Sequence, residues 1–457
     1  MKTEDKDLLS YPLVIILAAT SFLVAAQRQF LLVSPPKLRE INIQQIRSGT
    51  AALNVLFSRP MKVESVRKHS KIHPEFPHQW LGKGKQLRLL LNSDRLIRQP
   101  LRLEIGGVDH RGIKLQQHDL WWDPRPYLLA VALLPDGEQL QMRRFDGSWV
   151  PLSPVFSKIR QLEPLGNGRG VAFVSIDKEW RQKVWLRGLI PSSLSSIRSH
   201  LNSPRLGHLH LLTPEPQVYA LLSSNQHGEL LVQVGADDPG STRVWLQDEK
   251  GQKSNLDLKG TATGQMSLIP DGSGLVMPSS NGLELVPLLQ DEIRNSSQIL
   301  PGDRNLQSFC SGSGRAVVTN VLPDFQESIE LLIPGMAPKQ LWNGDDSIVM
   351  AASCDNQGEH ILIGLRKYEA RFIDEIILID SDGNTLRRRL LTPWSLRRDS
   401  RFDYDPIGDQ FLITLLHENS NVPIPALIRS NDLEITILDK EVEEARWLPA
   451  AADLKIP

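Results

Sequence analysis

Several histidines in this chain have spacings that could support metal binding. His69, His73 and His78 lie four and five residues apart, spacings that occur at transition-metal sites. However, His73 precedes a proline and His78 follows one, which disfavours the helix that would align the three rings. His208 and His210 would share one side of a strand, but the sequence offers no third ligand near them. The histidines therefore predict no metal site.

Carboxylate pairs and arginine runs are the next candidates. Asp237-Asp238 and Asp345-Asp346 are adjacent in sequence. Strand neighbours point to opposite faces and turn carboxylates are solvated, so neither pair predicts a catalytic dyad. Arg387–Arg389 and Arg397-Arg398 could bind a phosphate or a carboxylate, although we favour solvated charge on edge strands.

Sequence motifs for nucleotide binding or hydrolysis are absent. The glycines Gly166, Gly168 and Gly170 lead into a strand, whereas a dinucleotide fingerprint opens a helix. The sequence contains no phosphate loop, Gly-x-Ser-x-Gly elbow, Cys-x-x-Cys or His-Glu-x-x-His motif. We therefore predict no catalytic, cofactor-binding or metal-binding residues, no cofactor and no nucleic-acid partner, and we favour a protein that is not an enzyme.

The N-terminal region contains one long apolar segment. Leu8–Ala26 holds nineteen residues without a charge, about the length that crosses a bilayer core as a helix. We interpret residues 1–35 as a transmembrane anchor and linker. A cleaved signal peptide and a buried helix are the alternatives. The prediction is a single-pass membrane protein with its bulk outside the cytoplasm, periplasmic or at the cell surface.

Charge divides the rest of the chain into two parts. Residues 37–118 hold sixteen Lys or Arg and six Asp or Glu, a net charge of +10. Residues 119–457 hold thirty-three and forty-four, a net charge of −11. Such asymmetry points to partners. The basic part is expected to contact anionic lipid or the acidic part itself, unless its charge serves only solvation.

The sequence pattern of the basic part predicts a β-sandwich. Short apolar or alternating runs at Ala52–Phe57, Gln86–Leu91 and Leu101–Ile105 predict strands. The segments Phe57-Ser58-Arg59-Pro60-Met61 and Asp109-His110-Arg111-Gly112, with Trp80 between them, resemble the bacterial Ig-like domain of surface-layer proteins. The resemblance covers residues 36–118 and implies a structural or spacer module.

The acidic part repeats a turn followed by a short apolar strand. The predicted strands begin 47, 57, 41, 45 and 50 residues apart, at Val171, Val218, Leu275, Ala316, Ile361 and Phe411. About 40–45 residues suit a four-stranded propeller blade. Pro270-Asp271-Gly272-Ser273-Gly274-Leu275 resembles the repeat signature of TolB-type and WD-repeat-like β-propellers. Residues 119–457 are therefore predicted to form a six- or seven-bladed propeller, with 120–160 supplying a further blade or closing strands. A pair of β-sandwiches or an irregular β-solenoid are the alternatives.

These observations predict an all-β protein: an N-terminal transmembrane helix, an Ig-like stalk and a propeller head. Propeller proteins of these types bind proteins, peptides and sometimes small ligands. We expect a binding or scaffold protein of the cell envelope with a protein or peptide at the propeller face. The alternative is an envelope hydrolase or lyase that acts on a saccharide or peptide at the channel. The two cysteines, Cys310 and Cys354, occupy equivalent repeat positions and are expected to be separate buried thiols, with a disulfide as the alternative.

Overall fold

A computed structural model gives the fold of the chain. It describes residues 10–44, 51–91, 96–201, 203–235, 242–258, 260–288, 298–344, 346–397, 400–420, 422–451 and 453–455. Within these ranges almost all regular structure is antiparallel β-sheet.

The first helix, α1 (Ser10–Val33), contains most of the predicted transmembrane segment. Across the described residues, no helix has both the length and the apolar character needed to cross a membrane. The predicted transmembrane helix over Leu8–Ala26 is therefore wrong, and so is the single-pass membrane localisation. The prediction counted only the absence of charge, whereas Ser10, Tyr11, Thr20 and Ser21 interrupt the apolar run. Leu8 and Leu9 lie outside the described residues. The membrane partner assumed this anchor and is not supported, whereas the lipid contact of residues 37–118 was argued from charge and stays a prediction.

Two sheets that share one apolar core follow the helix. Alternation places Leu101, Leu103 and Ile105 in this core, while Arg102 and Glu104 point to the other face. Phe57 and Trp122 are the largest fully buried side chains in the unit. Its elements are β1 (Leu38–Gln44), β2 (Ala51–Phe57), α2 (Val63–His69), β3 (Lys71–His73), β4 (His78–Lys83), β5 (Gln86–Leu91), β6 (Leu101–Ile105) and β7 (His118–Trp122).

Seven further sheets, six of four strands and one of five, form a ring of blades in the described residues. Blades 1 to 3 contain β8 (Tyr127–Leu134), β9 (Gly137–Arg143), β10 (Trp149–Phe156); β11 (Lys158–Pro164), β12 (Gly170–Ile176), β13 (Gln182–Ile190), β15 (Arg205–Leu211); and β16 (Tyr219–Ser224), β17 (Leu230–Gly235), β18 (Arg243–Gln247), β19 (Lys253–Asn255). Between β13 and β15 lie β14 (Leu194–Ser195) and a short 3-10 helix (Arg198–His200).

Blades 4 to 7 follow the same order. They contain β20 (Ser267–Leu268), β21 (Gly274–Ser279), β22 (Gly282–Pro287), β23 (Gln298–Pro301); β24 (Asp303–Cys310), β25 (Arg315–Val321), β26 (Glu327–Leu332), β27 (Lys339–Asn343); β28 (Ser347–Cys354), β29 (His360–Tyr368), β30 (Phe372–Asp380), β31 (Thr385–Leu390); and β32 (Trp394–Leu396), β33 (Asp403–Asp405), β34 (Gln410–His417), β35 (Pro423–Arg429), β36 (Ile435–Ile437). Both β32 and β33 pair with β34.

Packing between blades explains the long apolar runs in their second strands. All seven residues of β12 are buried. Val171 and Phe173 pack in a cluster with blade 1, whereas Ala172 and Val174 pack in a cluster with blade 3. A strand covered on both faces cannot alternate apolar and polar residues, so it reads as an unbroken run.

The ring is closed by the last propeller strand, β37 (Val442–Leu448). It pairs antiparallel with β8 and supplies the innermost strand of blade 1. The propeller part of the fold prediction is thus confirmed, with seven blades. Residues 120–160 contribute both a blade and the partner of the closing strand.

The two units share hydrogen-bonded sheets. β14 pairs with β7, and β38 (Asp453–Lys455) pairs with β1. Ile407, from the turn between the first and second strands of blade 7, belongs to the core of the first unit. The division of the chain at residue 118 stays a prediction, and β7, which begins at that residue, belongs to a sheet of the first unit.

Candidate functional site

The propeller has one covered face and one open face. The turns between the first and second strands of the blades lie on the covered face, where Ile407 and β14 contact the first unit. The hairpin turns between the second and third strands lie at the opposite ends of those strands. We call the face with these hairpin turns the open face.

The innermost strands line a central channel of about 1200 Å³. On the covered side Ile43, Ala51 and Trp122 of the first unit lie against it. The channel wall is part polar and part apolar. Its charged side chains come chiefly from blades 2, 5, 7 and 1 and include Glu163, Arg304, Arg401, Asp403 and Arg446.

Arg446 is the centre of the charged cluster in the channel wall. Its Nε donates a hydrogen bond to Asp403 Oδ2 at 3.2 Å. Its buried Nη1 has no hydrogen-bond partner among the described residues. Burial lowers the pKa of Arg446, but neighbouring carboxylates, Asp403 and Glu163 foremost, more than compensate, so the pKa is raised. Arg446 therefore stays cationic.

The carboxylates around Arg446 accept hydrogen bonds from the backbone of the next blade. Ser224 N donates to Glu163 Oε1 at 2.8 Å, and Leu162 N donates to Glu444 Oε2 at 2.9 Å. Trp447 N donates to Asp403 Oδ2 at 2.8 Å. Each bond joins the inner strands of adjacent blades. These carboxylates hold the ring together, and burial raises the pKa of both Glu163 and Glu444.

A related arrangement joins the third strand of one blade to the first strand of the next. A polar side chain on the third strand of a blade accepts a backbone N–H from the first strand of the next blade. The pairs are Glu138 with Ile159 N at 2.6 Å, Gln182 with Ala220 N at 2.9 Å, Glu327 with Val349 N at 2.6 Å and Asp374 with Leu396 N at 2.5 Å. Repetition of this bond between four pairs of adjacent blades indicates a structural role for such side chains.

The open face presents large aromatic side chains to solvent. Trp180 is 74% exposed and Phe325 is 89% exposed, each at the tip of a hairpin between the second and third strands of its blade. Tyr368 and Phe372 stand at the corresponding hairpin of blade 6, with ring centroids 5.3 Å apart. Sequence reasoning missed all four residues.

Trp180 and Phe325 also carry an unfavourable backbone conformation. Their φ angles are +61° and +64°, in the left-handed region that favours glycine. In both turns the aromatic residue donates its N–H to the carbonyl three residues earlier. The same turn elsewhere holds Gly147, Gly251 and Gly383. An aromatic residue at a turn position that favours glycine, between two predicted strands, is a sequence signal that could have identified Trp180 and Phe325.

A basic depression of about 440 Å³ opens beside Trp180, and we call it the channel mouth. It is lined by four basic side chains and two acidic ones: Lys158, Arg160, Arg397, Arg401, Glu443 and Glu444. Glu443 is already paired with Arg397. The channel mouth therefore carries a positive charge, although the sequence around it is acidic. Of the predicted basic spots, only Arg397 contributes here, since Arg398 lies outside the described residues.

The remaining sequence candidates lie apart from the channel. Arg388 and Arg389 lie on β31, the exposed outer strand of blade 6, where Arg388 pairs with Glu375. His69 lies on α2, while His73 and His78 lie on separate strands. The rings of His208 and His210 do lie side by side, 5.8 Å apart. Over the part of the chain that is described, no group of three potential ligands is placed to hold a metal ion. Asp237, Asp238 and Asp345 lie outside the described residues.

The two cysteines form a disulfide between blades 5 and 6. Cys310 ends β24 and Cys354 ends β28, with 5.5 Å between their Cα atoms. The expectation of separate thiols is therefore wrong, because equivalent positions on adjacent inner strands come within bonding distance. Both residues are buried.

Comparison with known proteins gives similarity of fold only. No protein family and no characterised protein sequence matches the chain. Solved structures with a similar fold include TolB from Acinetobacter baumannii (12% identity, TM-score 0.42, 83% of each chain covered). Oligogalacturonate lyase from Vibrio parahaemolyticus also matches (10% identity, TM-score 0.44, 68% of this chain and 93% of that one). A third match is the β-propeller domain of the Trilobed protease from Pyrococcus furiosus (8% identity, TM-score 0.41, 75% and 92%). The resemblance to an Ig-like surface-layer domain is not supported by these comparisons.

Proposed function

We propose that the chain is a non-enzymatic binding or scaffold protein whose open face takes a protein or peptide partner. The observation that carries this proposal is the pair of exposed aromatic tips, Trp180 and Phe325, held in left-handed backbone conformations. A left-handed conformation costs a non-glycine residue about 1–2 kcal/mol. Strain of this kind concentrates at functional sites.

Exposed aromatic side chains suit a binding surface for a second reason. Trp and Tyr are enriched among the residues that carry most of the energy of protein interfaces. In this chain the aromatic tips lie on the face that the first unit leaves uncovered. Burial of these rings by a partner would offset both their exposure and their strain.

The test compares the full chain with the double variant Trp180→Gly/Phe325→Gly. Each protein is immobilised and exposed to an extract of the source cells. The partner retained by the wild type is identified by mass spectrometry, purified, and its Kd measured. We expect the double variant to weaken binding at least about tenfold, a loss of about 1.4 kcal/mol. Met336→Ser is the control, since Met336 is 68% exposed but lies on a turn of the covered face. Equal Kd values for all three proteins would contradict the proposal.

The second candidate is a hydrolase or lyase that acts on a saccharide or peptide in the channel. It is favoured by the raised pKa values of Glu163 and Glu444, since burial shifts both carboxyls toward the protonated form that a general acid needs. It is disfavoured because both carboxylates already accept backbone hydrogen bonds. We expect no turnover of casein or polygalacturonate by the purified chain, and turnover that Glu163→Gln abolishes would establish the enzyme instead.

A further inference from the structure

We infer that the channel mouth binds an acidic peptide segment, with its carboxylates among Lys158, Arg160 and Arg401 and an apolar side chain against Trp180. This inference rests on the proposed function and specifies the chemistry of the partner.

Charge is the first argument for an acidic ligand. Of the two carboxylates in the channel mouth, Glu443 is paired with Arg397, and Glu444 accepts a hydrogen bond from Leu162 N. Arg160 is exposed and forms no ion pair with any residue that the structure describes. Arg401 donates one N–H to Gln265 Oε1 at 2.5 Å, and a guanidinium carries five N–H groups in all. The channel mouth therefore offers more donors and more positive charge than its own carboxylates use.

The surrounding charge makes this attraction local. Residues 119–457 have a net charge of −11, so most of the propeller repels an acidic chain. An acidic segment would be attracted at the channel mouth and disfavoured elsewhere. This arrangement of charge favours specific binding of the ligand at one position over nonspecific binding across the surface.

The apolar walls favour a peptide over a purely charged ligand. Trp180 and Ile176 lie on one side of the channel mouth, and Leu221 and Ala445 also line it. An alternating segment of acidic and apolar residues would place carboxylates on the basic groups and a side chain on these walls. A volume of about 440 Å³ suits a few residues of such a segment, not a folded domain.

The test uses three short fluorescein-labelled peptides of equal length, in which leucine alternates with glutamate, glutamine or lysine. Binding to the full chain is measured by fluorescence anisotropy at about 50 mM and about 300 mM NaCl. We expect the glutamate peptide to bind at least about tenfold more tightly than the glutamine peptide at low salt, with this advantage reduced at high salt. The lysine peptide should bind most weakly.

Variants then locate the site. Lys158→Gln/Arg160→Gln should raise the Kd of the glutamate peptide about tenfold and leave that of the glutamine peptide unchanged. The charge-conserving Lys158→Arg/Arg160→Lys variant should bind like the wild type. Trp180→Gly should weaken both peptides, and a melting temperature no lower than that of the wild type shows that the fold is intact.

The remaining outcomes separate this inference from the proposed function. Equal binding of the glutamate and glutamine peptides overturns the acidic partner but leaves a peptide-binding face. Binding of polygalacturonate without binding of the glutamate peptide assigns the channel mouth to acidic saccharides and overturns the inference. Absence of binding by every probe overturns the inference, while the partner capture described above still tests the proposed function.

Discussion

Trp180 and Phe325 occupy turn positions where this chain otherwise uses glycine. A glycine there would relieve the left-handed strain at no packing cost, because both side chains are mostly exposed. Leu433 shares the conformation, with φ +58°, but is only 1% exposed and packs in the core of blade 7. Burial accounts for Leu433, whereas nothing within the described chain repays the strain at the two aromatic tips.

Replacement of either tip by glycine should therefore stabilise the free protein. We expect Trp180→Gly and Phe325→Gly each to raise the free energy of unfolding by about 0.5–1 kcal/mol. Relief of the backbone strain stabilises the folded state, and the greater entropy of glycine in the unfolded chain cancels part of this gain. Urea unfolding followed by circular dichroism measures the change. Leu433→Gly is the matched control and should destabilise the protein by about 2–5 kcal/mol, since it leaves a cavity. Destabilisation by the tip variants would show that the aromatic rings already have a structural role.

Asp405 gives the molecule a defined pH dependence. Burial raises the pKa of this carboxyl from 3.8 to about 6, against hydrogen bonds from Ile407 N and Gln410 Nε2. Between these two pH values the folded chain holds a proton that the unfolded chain has lost, so stability falls as pH rises through this window. At about 1.4 kcal/mol for each pH unit, Asp405 should contribute a loss of about 3 kcal/mol, complete above pH 6.

Urea unfolding at pH 4 and pH 8 tests this contribution. Asp405→Asn keeps a neutral side chain of the same shape, so it should be more stable than the wild type at pH 8 and nearly equal to it at pH 4. The exposed Asp439 provides a control, and Asp439→Asn should follow the wild type at both pH values. A pH profile unchanged by Asp405→Asn would refute the assignment.

At the scale of elements, local sequence patterns predict individual strands but do not predict which distant strands pair with each other. Short apolar or alternating runs predict β5 and β6 with their observed bounds. In blade 3 the sequence pattern predicts that the repeated turn is the proline-rich segment 213–217 and that the repeated strand begins at Val218. The structure makes Tyr219–Ser224 the first strand, and the true turn lies at Asn225–Gly228. That turn uses asparagine and a single glycine, a weak composition signal.

The disulfide is an element-scale contact that ties blade 5 to blade 6. It encloses a loop with a sequence separation of 44 residues, for which the chain-entropy model gives a stabilisation of about 4 kcal/mol. Cys310→Ser/Cys354→Ser should lower the free energy of unfolding by about 2–4 kcal/mol in urea titrations. Ser308→Ala is the control for local polarity, because Ser308 Oγ lies 3.7 Å from Cys354 Sγ. An effect of the double variant no larger than that of the control would contradict a stabilising disulfide.

Ile407 is the side chain by which a propeller turn enters the core of the first unit. Ile407→Ala should destabilise the protein by about 2–4 kcal/mol through the cavity it leaves. Because the residue joins both units, unfolding should shift to lower temperature for both together in calorimetry. Ile299→Ala is the matched control, since Ile299 is 49% exposed, and should change stability by less than about 0.5 kcal/mol. A shift confined to one of two separate transitions would show that the units unfold independently.

At the scale of the whole molecule, the charge asymmetry does not explain how the two units meet. Apolar residues and strand pairing form the junction: Leu194 and Ile407 lie in the core of the first unit, and β14 and β38 extend its sheets. Length and repeat period predict a ring of blades, because each blade is formed by one continuous segment. They do not predict β14 or β38, because these strands are short and pair with sheets whose other strands lie far away in the sequence.

The two closing strands also bear on the order in which the protein can be made. β37 completes blade 1 and β38 extends the sheet of β1, yet both lie beyond residue 440. A ribosome delivers residues from the N-terminus at about 5–20 each second, so β1 and β8 wait with unpaired edges for most of translation. Open strand edges are templates for aggregation. Nascent chains of this protein should therefore depend on chaperones until the segment with β37 and β38 emerges, and then both units should finish folding together.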